Sequence, residues 1–523
     1  MKADFMTRSQ LRLIPIVLLT MAQILGSAGV GRSGVPELIP LLKNKNQEVR
    51  SNAADELAKI GKSAIPDIIP LLKDPDKDLR SSAVFALGRM GESAKSAIPD
   101  IIPLLKDPDK GVRSIAAFVL GRMRESAKVA IPNLIPLLKD PDFFVRLNAA
   151  ETFGYMGESV KLAIPDLILL LKDPSSVVRS SAAFALGLIG KSAKVAIPDL
   201  IPLLKDPDKE VRSSAASALG FVGESAKVAI PDLIPLLKDP DKYVRSSAAE
   251  ALGRMGESAK VVIPDLIPLL KDPDKEVLSR AAEALERMGE SAKVAIPDLI
   301  PLLKDPDNDI RSIAAFALGR MRESAKVAIP DLIPLLKDSD RRVRSRAAYA
   351  LGFIGESAKV AIPDLIPLLK DPDKYVRSSA VFALGRIGES AKAAIPNLIL
   401  LLKDPDNDIR LSAAETLGRI GESAKVAIPD LIPLLKDSDR GVRLSAASAL
   451  GFVGESAKVA IPDLIPLLKD PDKYVRSSAV FALGRIGESA KVAIPDLISL
   501  LKDPDFIVQS AAAEALKKLG YKP

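Results

Sequence analysis

Residues 98–130 read IPDIIPLLKDPDKGVRSIAAFVLGRMRESAKVA, and the reading of this stretch decides the architecture. Ile98, Ile101, Ile102 and Leu105 fall at i, i+3, i+4 and i+7, which makes one apolar stripe on a first helix, helix A. Pro99 suits its first turn, where a missing N–H costs least, and Asp100 suits the positive end of the helix dipole. Pro103 lies inside the helix and is expected to bend it. Asp107-Pro108-Asp109 ends it, because the residue before a proline disfavours the helical region, and Asp109 can cap the next helix. In that second helix, helix B, Val112, Ala116, Val119, Leu120 and Met123 again share one face. A glycine closes helix B in most units, as Gly91 and Gly157 do.

The same unit recurs along the chain. Ile-Pro returns every 33 residues at Ile65, Ile98, Ile131, Ile164, Ile197, Ile230, Ile263, Ile296, Ile329, Ile362, Ile395, Ile428, Ile461 and Ile494, and Val35-Pro36 supplies a shorter first copy. Fixed self-similarity at this period marks a solenoid, here fifteen two-helix repeats over residues 34–523. Apolar burial within one unit returns less free energy than ordering its backbone removes, so neighbours must share a core and the ends must differ. They do: Asn44-Lys45-Asn46 replaces the Asp-Pro-Asp turn in the first unit, and Asp55, Glu56 and Lys59 make its helix B polar. In the last unit Gln509 stands where other units carry Arg, and Glu514, Lys517 and Lys518 form a polar cap.

Composition limits the chemistry. The chain has no Cys, His or Trp, which removes thiol nucleophiles, disulfides, imidazole acid–base catalysis and the commonest zinc ligands. Lys plus Arg is 74 against 67 for Asp plus Glu, a net charge of +7 that permits anionic partners without demanding them.

The pattern Asp-Pro-Asp-x-x-Val-Arg-x-x-Ala-Ala-x-Ala-Leu-Gly resembles HEAT repeats of the short, phycobilisome-lyase type. The resemblance implies an all-α, right-handed α-solenoid (an armadillo/HEAT-like superhelix) in which helix B lines the inner surface. It also implies that the recurring Arg80, Arg113, Arg146, Arg179, Arg212 and Arg245 bond the turn aspartates of their own and adjacent repeats. Leu278 breaks this row in the eighth unit, with Arg280 two residues on, so a local bend or weak point is expected there. Function is expected to be non-enzymatic, a scaffold for a protein partner and itself a monomer, with no cofactor and no metal. The alternative from the resemblance is a bilin lyase, which attaches or removes a tetrapyrrole. Deoxyhypusine hydroxylase, another HEAT-repeat enzyme, needs His ligands for iron, and this chain has none.

Counting from the helix B Val as zero, the core falls at 0, +4, +7, +8 and +11, and positions +2, +3, +6 and +10 point away. Position +6 varies among Phe, Tyr, Glu and Ser while +10 is mostly Arg. The candidate partner-binding set is Phe85, Arg89, Phe118, Arg122, Phe184, Phe316, Arg320, Tyr349, Phe353, Phe382, Arg386, Phe481 and Arg485, residue types that anchor protein interfaces. The plainer reading is surface finish, since +6 and +10 are i, i+4 neighbours and Glu250–Arg254 or Glu283–Arg287 would pair in any case. The arginine rows also suggest a nucleic-acid track, but acidic residues interleave with them and no base-stacking motif is present, so nucleic acid is not the expected partner. The paired turn aspartates, such as Asp239 and Asp241, read as helix caps in preference to cation sites.

Residues 1–33 form a separate segment. Lys2, Arg8 and Arg12 precede an apolar run from Leu13 to Leu25, and Gly26-Ser27-Ala28 follows. The order matches a signal peptide or anchor, so export or membrane attachment is expected. Against it stand Asp4 in the basic region, Pro15 in the apolar run, and the alternative that Leu11 to Leu25 forms a helix capping the first repeat.

Overall fold

The computed structural model describes residues 34–521, so the reading of residues 1–33 as signal or cap lies outside the described residues. The described chain is helical throughout, two helices per repeat, and its contacts cluster into two compact units divided between Ser258 and Ala259. The first unit holds repeats 1–7 to this point in a connector, and the second holds repeats 8–15.

Helix A starts as an α-helical turn with proline in its first positions, as in Ile98–Ile101, then tightens to a 3₁₀ helix over Ile102–Lys106. The internal proline explains the change: without an N–H it cannot complete the i to i−4 ladder. Where Leu169, Leu400 or Ser499 takes that place, the α-helix runs on through Ile164–Leu170, Ile395–Leu401 and Ile494–Ser499. Two units keep an α-helix around Pro367 and Pro466, so proline loosens this turn without forbidding it.

The buried face of helix A is turned slightly from the expected stripe. Ile98, Ile101, Leu104 and Leu105 are buried, whereas Ile102 is only half-buried. Helix A packs against the A helices of both neighbours as well as against helix B, and this wider contact draws Leu104 into the core. Helix B follows expectation: Val112, Ala116, Val119, Leu120 and Met123 are each no more than 1% exposed.

The turn before helix B is built from its aspartates. Asp107 Oδ1 accepts the Asp109 N–H at 2.9 Å, and Asp109 Oδ1 accepts the Gly111 and Val112 N–H groups at 2.8 and 3.2 Å. Helix B ends at a glycine with φ between 55 and 82°, from Gly91 to Gly355. Arg124 and Arg322 hold this position in repeats 3 and 9 at φ 45 and 53°, a conformation that costs a side-chain-bearing residue about 1–2 kcal/mol.

A second glycine row has a different cause. A Cβ at Gly319 would lie 2.6 Å from the Ala350 Cα, and one at Gly220 would lie 2.7 Å from the Ala251 Cα. Adjacent B helices therefore touch backbone to backbone, closer than any side chain allows. Glu286 occupies the equivalent place in repeat 8, the repeat that also carries Leu278, here buried.

Candidate functional site

Charge along the stack is organised by three repeating ladders. In the first, Arg80 Nε and Nη2 donate to both carboxylate oxygens of Asp107 at 2.8 Å, while Nη1 donates to the carbonyls of Asp74 and Pro75 at 2.8 and 3.0 Å. The same geometry holds for Arg113 with Asp140, Arg146 with Asp173, Arg179 with Asp206 and Arg212 with Asp239, and in the second unit from Arg311 with Asp338 to Arg476 with Asp503. Arg245 donates to the carbonyls of its own turn, Asp239 and Pro240, at 2.9 and 3.2 Å. The hydrogen bond to Asp107 holds the Arg80 guanidinium above its ordinary pKa, and the bond from Arg476 holds the Asp503 carboxyl below the usual carboxylate range. Gln509 keeps only the bond to its own turn, Nε2 to the Asp503 carbonyl at 2.6 Å.

The second ladder joins a helix A lysine to the Asp of the next repeat's first turn, for example Lys205 to Asp232 at 2.8 Å. The third joins the residue after the turn to the next cap, as Lys209 to Asp241 at 2.9 Å and Arg341 to Asp373 at 2.6 Å. Asp239 and Asp241 thus spend their oxygens on Arg212, Lys209 and backbone N–H groups. Among the described residues no group of His, Cys, Asp or Glu is arranged to hold a metal ion.

The outward face of helix B divides by position. Serines at +2 bond serines at +3 of the following repeat, as Ser180 with Ser214 at 2.9 Å and Ser213 with Ser247 at 2.8 Å. At +6, Phe85, Phe118, Phe316, Tyr349, Phe382 and Phe481 are half-buried, and Phe184 is 42% exposed. For two of them the glycine row explains the burial: the Phe382 ring lies on Gly352 and the Phe481 ring on Gly451, where a Cβ would meet the rings at 2.8 and 2.9 Å. At +10, Arg89, Arg122, Arg320, Arg386 and Arg485 are exposed, and Phe353 is half-buried. Arg89 lies 4.9 Å from the Phe85 ring centre, Arg122 is 5.9 Å from Phe118, and Arg320 is 5.9 Å from Phe353. Glu250 pairs with Arg254 at 2.7 Å as the i, i+4 spacing predicts. The expected Glu283–Arg287 pair is replaced by Arg280 to Glu283 at 3.2 Å, because Arg280, also held by Glu276, reaches Glu283 from one turn earlier.

These positions converge in the second unit. A cavity of about 760 Å³ opens over repeats 8–11, walled by Phe316, Tyr349 and Phe353 and edged by Arg280, Arg342 and Arg346. Phe353 stands 6.4 Å from Phe316 and 6.2 Å from Tyr349, and Phe382 adds contacts of 4.9 and 5.3 Å to Tyr349 and Phe353. In the first unit a cavity of about 420 Å³ joins Phe85 to Phe118, and one of about 610 Å³ lies beside Phe118 and Arg122. Phe184 lines none of these three cavities.

Two features escaped sequence reasoning. Arg346 stacks 3.8 Å from the Phe316 ring centre inside the large cavity; its signal was an Arg at +3, a row filled mostly by Ser. The second is a row of exposed valines in the connectors, including Val129, Val228, Val261, Val360 and Val492, each above 60% exposed. It was legible as Lys-Val-Ala-Ile-Pro, but its exposure follows from the connector's packing.

A family model described as HEAT repeats matches residues 35–99, 98–167, 164–252, 230–300, 296–363, 362–451 and 461–523. No curated protein matches the chain. Among solved structures it is similar to the karyopherin Kap121p bound to the extreme C-terminus of the protein phosphatase Cdc14p, at 14% identity over 97% of this chain and 68% of that one, with a TM-score of 0.61. Importin beta in a polyethylene glycol condition gives 0.60 at 14% identity over 93% and 82% of the two chains, and yeast importin-beta (Kap95p) gives 0.54 at 13% over 93% and 76%. At such identity the likeness establishes the fold alone, an all-α repeat solenoid, and the phycobilisome-lyase subtype is not carried by it. The chain belongs to the HEAT-repeat family.

Proposed function

We propose that this chain is a non-enzymatic scaffold that binds a protein partner along the outward face of helix B. One observation carries the reading: on a scaffold whose ladders, caps and glycine rows repeat almost unchanged, +3, +6 and +10 vary, and in the second unit their aromatic rings and arginines wall an open cavity. Aromatic and Arg side chains anchor interfaces because they bring large contact area with few rotatable bonds. The fold is shared with Kap121p, which is bound to a segment of another protein.

The test is a pull-down from the source lysate with the full chain, beside a Phe316→Ala/Tyr349→Ala/Phe353→Ala variant of unchanged circular dichroism and urea midpoint. A defined protein retained by the wild type and lost by the variant supports the reading. Equal retention by both moves the interface elsewhere, and no retention by either removes it.

A further inference from the structure

The three ladders neutralise cations and carboxylates repeat by repeat, and the +10 row of the second unit stands outside them. In the first unit Arg89 pairs with Asp55 at 3.0 Å and Arg254 with Glu250 at 2.7 Å, while Arg122 makes no ion pair among the described residues. In the second, Arg287, Arg320, Arg386 and Arg485 make no ion pair among the described residues. Arg346 makes none either, although it lines the large cavity. The carboxylates of that cavity are already engaged: Glu276 and Glu283 hold Arg280, Asp309 holds Arg342 at 2.8 Å, and Asp373 holds Arg341. Glu286 acts on Arg287, Arg320 and Arg346 through its field without an ion pair to any of them.

From this pattern we propose that the helix B face of repeats 9–11 takes an acidic, extended peptide segment that also carries aromatic or large apolar side chains. The inference rests on the scaffold reading above and names the partner's chemistry. Arg346 and Arg320 lie against Phe316 and Phe353, which presents each guanidinium in a defined position with N–H groups free for a carboxylate. Packed helices stand about 10 Å apart, and an extended chain advances about 3.3 Å per residue. Arg320 in repeat 9 and Arg386 in repeat 11 share the +10 position about 20 Å apart, which an extended chain spans in about six residues, an even number that returns a carboxylate to the same face. Arg346 in repeat 10, at +3, stands about 10 Å along helix B from that row and flanks the track. An intervening ring fits against Phe316, Tyr349 and Phe353. A basic segment would set its cations against these same arginines, with no free carboxylate in the cavity to receive them.

Fluorescence anisotropy with the full chain tests this, using labelled (Glu-Ser-Phe)₅, its (Lys-Ser-Phe)₅ counterpart and a single-stranded oligonucleotide. The acidic peptide is expected to bind at least tenfold more tightly than either, and more weakly as salt rises. Arg320→Ala and Arg346→Ala are each expected to weaken it roughly tenfold. Arg346→Lys, which keeps charge but not the planar fork, should fall between, and Lys194→Ala on an exposed connector of the first unit should change nothing. Equal or tighter binding of the basic peptide, tighter binding of the oligonucleotide, or indifference to both arginines overturns the proposal. If the pull-down above still depends on the aromatic wall, the scaffold reading survives that failure and only the acidic partner falls.

Discussion

Replacing Arg212 with Leu probes what the ladder contributes. Arg212 donates to Asp239 at 2.9 and 3.1 Å and to the carbonyls of Asp206 and Pro207 at 2.9 and 3.1 Å, with side-chain exposures of 15% for the Arg and 7% for the Asp. Arg212→Leu removes all four bonds and leaves Asp239 with the Asp241 N–H as its remaining partner here. Breaking a buried pair by deleting one member costs about 3–5 kcal/mol. Residual solvent access lowers this, and burial of the new leucine, as Leu278 is buried in repeat 8, offsets up to about 1.5 kcal/mol. The net expected loss is about 2–3 kcal/mol. Repeats contact only their neighbours, so the loss should be local to repeats 6 and 7. Native-state hydrogen exchange resolved by peptide is therefore the assay, with urea unfolding as the global control. Asp239→Asn and the double variant complete a cycle whose coupling should be of order 2 kcal/mol. A local loss below about 0.5 kcal/mol, within the range of exposed surface pairs, would refute the argument that this largely buried pair stabilises the junction of repeats 6 and 7.

Arg124→Gly and Arg322→Gly should each raise stability by about 1 kcal/mol by relieving a positive φ, read as a higher thermal midpoint; no gain in either would show that the strain is already relaxed. Gly319→Ala should destabilise by about 1–3 kcal/mol, because its Cβ would meet the Ala350 backbone at 2.6 Å, despite the better helix propensity of Ala. Stabilisation of that variant would mean the B helices can separate freely. The Asp503 carboxyl is depressed by its bond from Arg476 and the Asp406 carboxyl by its bond from Lys374. Each binds a proton less readily folded than unfolded, so its contribution is fully present above the unfolded value of about 3.9 and is lost as pH falls through the lower folded value. Urea midpoints should therefore hold steady from neutral pH to about 5 and drop below about 4; a midpoint unchanged at low pH would contradict this.

The repeat, its helix pair, the capping aspartates and the closing glycines were all legible in the chain, because each is a local matter. A proline lacks its N–H wherever it stands, an Asp before a helix finds the same free N–H groups, and a glycine alone adopts positive φ without strain. Periodicity then located the helix B core position by position. It also located the helix B face, since at 100° per residue +6 and +10 must leave the core.

Other features depended on how one repeat meets the next. The glycine at the centre of helix B reads as a weak helix former until Ala350 is found against Gly319. The half-burial of Phe382 and Phe481 has the same origin, a ring lying where the preceding helix has no Cβ. Leu104 replaces Ile102 in the core because helix A has neighbours on three sides, and Arg280 captures Glu283 from an expected partner. Arg346, one of several departures from a mostly serine row, gained significance only once Phe316 of the previous repeat lay beneath it. The sequence by itself determined what each unit is, because hydrogen bonding and helical period act over a few residues. Tertiary structure alone decided which arginines stay unpaired and where rings gather into a cavity, because those depend on distances between residues about thirty positions apart.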